Sequence, residues 1–475
     1  MEINQHLIFV LLLAVVSHSV FAAGQQRSVS RPVLTASVFL NQVKKNHPIL
    51  ELAYIKQQTA SAQRLEKQGA FDPVIKAGSG VKRFNSSAQL GKVQEVLESN
   101  LSMDFLSRYG LRVKAGVKQA AGNIKTPVSP TGEGGEYYIN LTLPLFRGAG
   151  INRESANESK AFLYEGQTEH LFRQTELSLL YDALNFYWQW VGAGKKLEVE
   201  KTLLEMARFR SEAIRQKIHK GLLAKIVGIE AQREVQKRLG RMIKAERQLQ
   251  QASLRLADFL WRDNLQPDHT PLPEQLPPAL DIPEEYPLAV LAQAKQHSLN
   301  KRPELQVLDL AKAMAKIDQQ YAQNILLPQI DLFVTPGYQL GYGAIDGGAE
   351  IMAGISMSLP VFQRKAQGKI DQAKLAIKNL SIQERRTIRS IMLEIENQFS
   401  AVNTTFERYQ AAKQELDFAQ QLEEGEKTRF EYGDSTLFLV NQRERSTAEA
   451  KLNLIDVLVE YHQSVTGFKA AAGEL

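Results

Sequence analysis

Apolar residues recur at alternating steps of three and four through two long stretches of the chain. Leu204, Ala207, Ser211, Ile214 and Ile218 form one stripe; Ile388, Ile391, Ile395, Val402, Tyr409, Ala412, Leu416 and Ala419 form another, set among Glu, Lys, Arg and Gln. Such spacing keeps one face of a helix apolar and is the seam of a coiled coil. Gly221 and Gly433 interrupt the two stretches, and the stripes resume beyond them, as at Leu454, Leu458, Tyr461 and Val465. Each stretch therefore predicts a helix, a tight reversal and a returning helix. No proline lies between Pro144 and Pro267 or after Pro360, so the outgoing helices are expected over Ala149–His219 and Gln363–Glu431. At 1.5 Å per residue each is about 105 Å long. Gly192 and Gly194 are candidate points for a bend or break in the first.

Elsewhere the period changes from about 3.6 to 2. Tyr137, Ile139, Leu141 and Leu143 alternate with Tyr138, Asn140 and Thr142; Ile330, Leu332 and Val334 alternate with Asp331, Phe333 and Thr335; Ile351, Ala353, Ile355, Met357 and Leu359 alternate with small or polar residues. Strands are expected over Val74–Phe84, Leu97–Phe105, Leu111–Gln119, Glu136–Phe146, Gln329–Leu340 and Glu350–Leu359, with a Gly-rich loop at Gly341–Gly348. Val74–Phe84 and Glu136–Phe146 read as the outer pair of the first half, with Leu97–Phe105 and Leu111–Gln119 as an additional hairpin. One apolar and one polar face suits either a membrane β-barrel or half of a soluble sandwich. Two or four strands in the first half both return the chain to the same side. A protomer with about four strands cannot seal a barrel alone, because open edges leave backbone groups unpaired in lipid. Three copies giving twelve strands would close one.

Proline positions show that this plan is written twice. Pro48 and Pro73 are 25 residues apart, as are Pro303 and Pro328. His47-Pro48-Ile49-Leu50 parallels Arg302-Pro303-Glu304-Leu305, and Leu143-Pro144-Leu145-Phe146 parallels Leu359-Pro360-Val361-Phe362. From the latter prolines to Gly221 and Gly433 the distances are 77 and 73 residues, a difference of about one helical turn. Seven prolines between Pro267 and Pro287 mark a linker. The expected division is 23–262 for the first repeat, 263–287 for the linker and 288–475 for the second repeat.

Before these repeats, Leu7–Val16 is an unbroken apolar run followed by Val20, Phe21 and Ala22. It is too short to span a bilayer and reads as a signal peptide over 1–22, which implies export. The 475 residues contain no cysteine, which excludes disulfides and thiol chemistry, and carry a net charge of +6 with no compact basic block, so nucleic acid is not an expected partner. The histidines are scattered without metal-ligand spacing, and neither a phosphate loop nor a Gly-x-Ser-x-Gly elbow is present. No cofactor, metal or enzymatic site is expected.

The duplicated Pro-x-Leu helix starts, the two Leu-Pro junctions, and the reversals His219-Lys220-Gly221-Leu222 and Phe430-Glu431-Tyr432-Gly433-Asp434-Ser435 resemble the TolC-type outer-membrane efflux and secretion channels. The likeness runs from about Pro32 to Gly467. It implies a mainly α fold with membrane β: a homotrimer whose shared twelve-stranded barrel continues into a helical tunnel. The tunnel's tips would meet a periplasmic adaptor and an inner-membrane pump, of ABC, RND or similar type. On that resemblance Gly221, Leu222, Leu223, Gly433, Asp434 and Ser435 face the adaptor. Where some members constrict the tip with aspartates, this chain reads Leu437-Phe438-Leu439-Val440-Asn441-Gln442, so Leu439 and Gln442 are the candidate constriction. Lys76, Lys82, Arg112, Lys114 and Lys118 lie opposite the apolar strand face; inside a barrel they would favour anions, and in hairpins outside the lumen they would not. The competing reading is a periplasmic coiled-coil adaptor or structural protein.

Overall fold

The computed structural model describes residues 32–85, 93–122, 131–341 and 347–475. The leader expected at 1–22 and the centre of the loop at 341–348 lie outside the described residues. Two short helices, α1 (Ala36–Asn46) and α2 (Pro48–Gln68), lead into strands β1 (Val74–Asn85), β2 (Val93–Leu106), β3 (Arg112–Gly122) and β4 (Glu136–Pro144). The first long hairpin is α3 (Arg153–His219) with α4 (Lys225–Ala257). A small two-stranded turn, β5 (Trp261–Arg262) and β6 (Gln266–Pro267), opens the proline-rich linker. The second repeat follows as α5 (Leu288–Lys301), α6 (Pro303–Leu326), β7 (Gln329–Gln339), β8 (Gly348–Ser358), α7 (Arg364–Glu431) and α8 (Leu437–Ala472).

Pro48 and Pro303 each occupy the first turn of a helix, where the missing N–H costs no bond. The residues ahead of them serve the same end of the structure by different chemistry. His47 lies beside the Asp258 backbone where α4 ends, its ring tilted against that of Phe259 with centroids 5.8 Å apart. Arg302 donates to the Ala470 and Ala471 carbonyls in the last turn of α8, both at 3.2 Å, and pairs with Glu304 and Glu394. Each returning helix thus ends against the residue one position before a helix-starting proline, and at the end of α8 the Arg302 guanidinium satisfies two terminal carbonyls.

The seams are buried as their spacing predicts. Leu204, Ala207 and Ile214 are buried in the first hairpin, and Ile391, Ile395, Val402 and Ala412 in the second. The larger core of the first repeat gathers Phe39, Val43, Tyr187, Trp190, Leu249 and Leu256, with Trp190 Nε1 donating to Ser253 Oγ at 3.1 Å. Its counterpart in the second repeat packs Leu305, Ile391, Ile395, Tyr461 and Phe468. Helix α3 runs unbroken through Gly192 and Gly194, so neither glycine is the break for which they were candidates. Both glycines permit close approach instead: a Cβ on Gly192 would lie 2.6 Å from Val459 of α8, and one on Gly194 would lie 2.2 Å from Leu276 of the linker.

A single antiparallel sheet joins the repeats in the order β1-β2-β3-β4-β7-β8. Six strands are therefore described in the chain: the four expected at the least, and the additional hairpin of the first half. Within the first repeat β1 and β4 are the outer strands, as expected, and the additional hairpin β2-β3 lies between them. The four-residue difference between repeats is also not an extra helical turn, because α3 and α7 have 67 and 68 residues. It resides in the junction between β4 and α3, where the β2-β3 turn docks. Asn152 Nδ2 donates to the Arg108 carbonyl at 3.0 Å, Gly150 N donates to the Tyr109 carbonyl, and Arg108 clasps Glu158 through bonds of 2.7–3.1 Å. Gly110, at φ +95°, sits so close to this junction that a Cβ would lie 2.3 Å from the Gly148 carbonyl. Hairpin and long junction belong together.

Candidate channel wall and tips

Residues paired across an antiparallel sheet share a face, so the register sorts every strand residue. One face carries Ile75, Leu101, Met103, Ala115, Val117, Tyr137, Ile139, Tyr338, Ile351 and Ile355. Its larger side chains are widely exposed, Ile75 at 73% and Ile351 at 75%. So many adjoining exposed apolar residues need a dry neighbour, and the width and alternation fit lipid. The opposite face is polar. Asn140 donates to Thr335 Oγ1 at 2.6 Å beside Pro336, which has no N–H to give. At the end remote from the helices, Glu136 accepts from Lys118 at 2.8 Å and from Gln339 at 3.0 Å.

All five basic residues singled out from the sequence occupy this polar face, and three are neutralised there. Lys76 pairs with Asp104 at 2.5 Å, Lys82 with Glu98 at 2.8 Å, and Lys118 with Glu136. Lys114 lies 6.0 Å from the Tyr138 ring centroid. Glu98, Asp104, Glu136, Asp331 and Glu350 share the face with the five bases, so the charges balance. Alternation reveals which side a lysine occupies but not the acid that faces it from another strand. A large positive potential is therefore not built into this surface.

At the far ends of the long helices the two reversals are built alike. Gly221 N–H donates to the Ile218 carbonyl and Leu222 N–H to that of Lys217; Gly433 N–H donates to Phe430 and Asp434 N–H to Arg429. Each is a paired C-terminal cap that needs a left-handed residue, and Gly221 and Gly433 have φ +75° and +80°. Of the residues expected to face outward, Gly221, Leu222, Gly433 and Asp434 are exposed. Leu223 turns inward with Val227 to a small core of Ile214, Ala231, Leu437 and Phe430, which ties the two tips together. Ser435 donates to Glu426 Oε1 at 2.5 Å. Leu439 is partly buried and Gln442 exposed, while Leu437, Val440 and Asn441 face the interior.

A further link escaped sequence reading because its partners lie more than 230 residues apart. Arg210 of α3 donates to Asn441 Oδ1 and to Glu444 of α8, each at 2.9 Å from one guanidinium nitrogen. Glu444 is buried, so this charge pair joins the two hairpins near the tips in a place shielded from solvent. Above it, a cavity of about 900 Å³ is lined by Leu203 and Met206 of α3, Leu416 of α7, and Leu454 and Leu458 of α8. Among the described residues no His, Asp or Glu group is arranged to hold a metal, and no helix is long and apolar enough to cross a membrane.

A sheet with one dry and one wet face, two open edges and paired helices about 100 Å long defines a subunit of a membrane conduit rather than a self-sufficient domain. Residues 295–474 match the outer membrane efflux protein family. The fold is similar over most of its length to solved outer-membrane channels. These include VceC of Vibrio cholerae (14% identity, 92% of this chain and 96% of that one, TM-score 0.65) and CmeC of Campylobacter jejuni (15%, 92% and 85%, 0.64). The open state of MtrE from Neisseria gonorrhoeae is comparable (15%, 92% and 88%, 0.64). Comparison with curated proteins gave no sequence match. The chain thus has the fold of these outer-membrane channels over nearly its whole length, and its second repeat matches the outer membrane efflux protein family.

Proposed function

We propose that the protein is the exit duct of a tripartite efflux or type I secretion assembly, conducting substrate passively from an inner-membrane pump and periplasmic adaptor across the outer membrane. It is a channel and not an enzyme. The observation that carries this reading is the six-stranded sheet, dry on one face and wet on the other, set on two long hairpins. An adaptor would use such hairpins but has no need of an exposed apolar sheet of this width. In this reading residues 1–22 direct export, 23–262 and 288–475 are the repeats, and the linker 263–287 lies around the equator of a homotrimer. The exposed turns at Leu222 and Asp434 meet the adaptor, and Leu439 and Gln442 border the narrowest part of the tip.

Envelope fractionation with unboiled gels tests it: the protein is expected in the outer membrane as a detergent-resistant trimer, with photo-cross-linkers at Leu222 or Asp434 capturing an adaptor. A soluble periplasmic monomer would overturn it. The Arg210–Glu444 link is expected to hold the tips together. Arg210→Ala should cost about 3 kcal/mol by leaving Glu444 buried and unpaired, and should raise conductance without changing the amount of trimer.

A further inference from the structure

Resting on the conduit reading, we infer that β8 of one copy pairs with β1 of the next in one register, with Lys82 opposite Glu350, so that three copies close an eighteen-stranded barrel. β1 and β8 are the only edges of the described sheet. They run in opposite directions, as every neighbouring pair in the sheet does, so joining them continues the antiparallel order.

The register follows from the sheet itself. Moving straight across from Val74 leads through Asp104, Lys114 and Asn140 to Thr335 and then Met352. β8 continues six residues beyond Met352, to Ser358, before the chain turns toward α7. Setting the helix-proximal ends level, Val74 beside Ser358, gives a stagger of one residue per strand. At ~3.3 Å along for ~4.8 Å across, that is a tilt of about 35°, within the range of closed barrels.

Only slips of two residues keep the dry faces continuous. The level register aligns Ile75 with Met357, Ala77 with Ile355 and Val81 with Ile351 on the dry side, and Lys82 with Glu350 on the wet side. Glu350 makes no ion pair among the described residues and is exposed at its edge, and the exposed Lys82 ammonium, held by Glu98 within its own chain, would be shared with it. Sliding one way by two places Lys82 against Gly348 and lowers the tilt to about 25°, outside that range. Sliding the other way places Lys82 against Met352 at about 43°, which is geometrically allowed but loses the charge match. Charge therefore selects between the two registers that geometry permits.

Eighteen strands at this tilt give a backbone diameter of about 34 Å, against about 23 Å for twelve. Four helices per chain lie side by side in each long section, and twelve spaced ~9 to 10 Å apart make a ring about 34 to 38 Å across. The wider barrel thus meets its tunnel without a step.

The absence of native cysteine makes disulfide trapping clean. In the full chain, the Lys82→Cys/Glu350→Cys and Val81→Cys/Ile351→Cys pairs, oxidised in outer membranes with copper phenanthroline, are expected to give reducible covalent trimers. Each should exceed the Lys82→Cys/Met352→Cys pair by at least ~fivefold, because a disulfide needs close Cα atoms; the single variants should give none. The second pair leaves Lys82 and its partners intact. Detergent-resistant trimers with no cross-link at either level-register pair, or with the Met352 pair dominant, would overturn the register and leave the conduit reading standing. Absence of any outer-membrane trimer in the unmodified protein would defeat both.

Discussion

The two repeats share their helices but not their sheet, and the contrast shows which features the rod requires. Helices α3 and α7 differ by one residue in length, both hairpins turn on a left-handed glycine, and both returning helices end against a residue preceding a proline. The strands are free to differ: the first repeat gives four and the second two. A hairpin can be inserted where its turn has a place to dock, and the longer β4–α3 junction supplies one. The helical rod tolerates no such insertion, because a seam must stay in phase along its whole length.

The comparison is broken most severely at its capping residues. Arg302→Ala removes the donor from the end of α8 and leaves Glu304 and Glu394 without their guanidinium. About 3 to 4 kcal/mol of stability should be lost, measured as a lower unfolding midpoint. His47→Ala, at the equivalent place in the first repeat, should cost about half as much, since it removes a neutral ring packed on Phe259. Equal losses would show that the two sites are not counterparts. Next comes Gly192→Leu, which forces a side chain into Val459 and should cost about 2 kcal/mol despite the better helix propensity of leucine. The same change at Gly240, with open space around its Cα, should be neutral or stabilising.

Acid sharpens the contrast further. Burial lowers the pKa of His47 below 6.5, partly opposed by Asp258, and burial lowers that of His462, partly opposed by its hydrogen bond to the Asp281 backbone. Both folded values lie below the unfolded one, so the unfolded chain binds more protons. Their stability contribution is complete above about pH 6.5 and declines as the pH falls through the folded values. A melting series from pH 8 to 5 should show this fall, and His462→Gln should flatten part of it. The smallest expected effect is at the tips. Thr436 caps α8 by accepting from Leu439 N, while Ala224, in the same place before α4, offers no side chain. Thr436→Ala should cost about 1 kcal/mol and Ala224→Thr should gain about 0.5 to 1, read as slower or faster amide exchange in the first turn.

What was legible from the residues was whatever repeats locally. The seams at Leu204–Ile218 and Ile388–Ala419, the period of two in β4, β7 and β8, and the paired prolines gave the element order, the duplication and the two turn glycines. Strand order was not legible, because alternation assigns a face and not a neighbour. The balancing of Lys76, Lys82 and Lys118 was hidden for that reason. Gly192 and Gly194 read as weak points since propensity records the missing side chain, whereas Val459 and Leu276 approach from more than 80 residues away. At the tip, Leu437 and Leu439 are both apolar and two positions apart, so which faced the core depended on where the helix began. Thr436 sets that start.

Planar-bilayer recording of purified, detergent-resistant trimers tests the central claim most directly, since it requires separate copies to enclose one water-filled path. Discrete, long-lived conductance steps are predicted, absent from monomer fractions and enlarged by Arg210→Ala. Trimers that insert yet carry no current, or monomers that conduct as well, would contradict it.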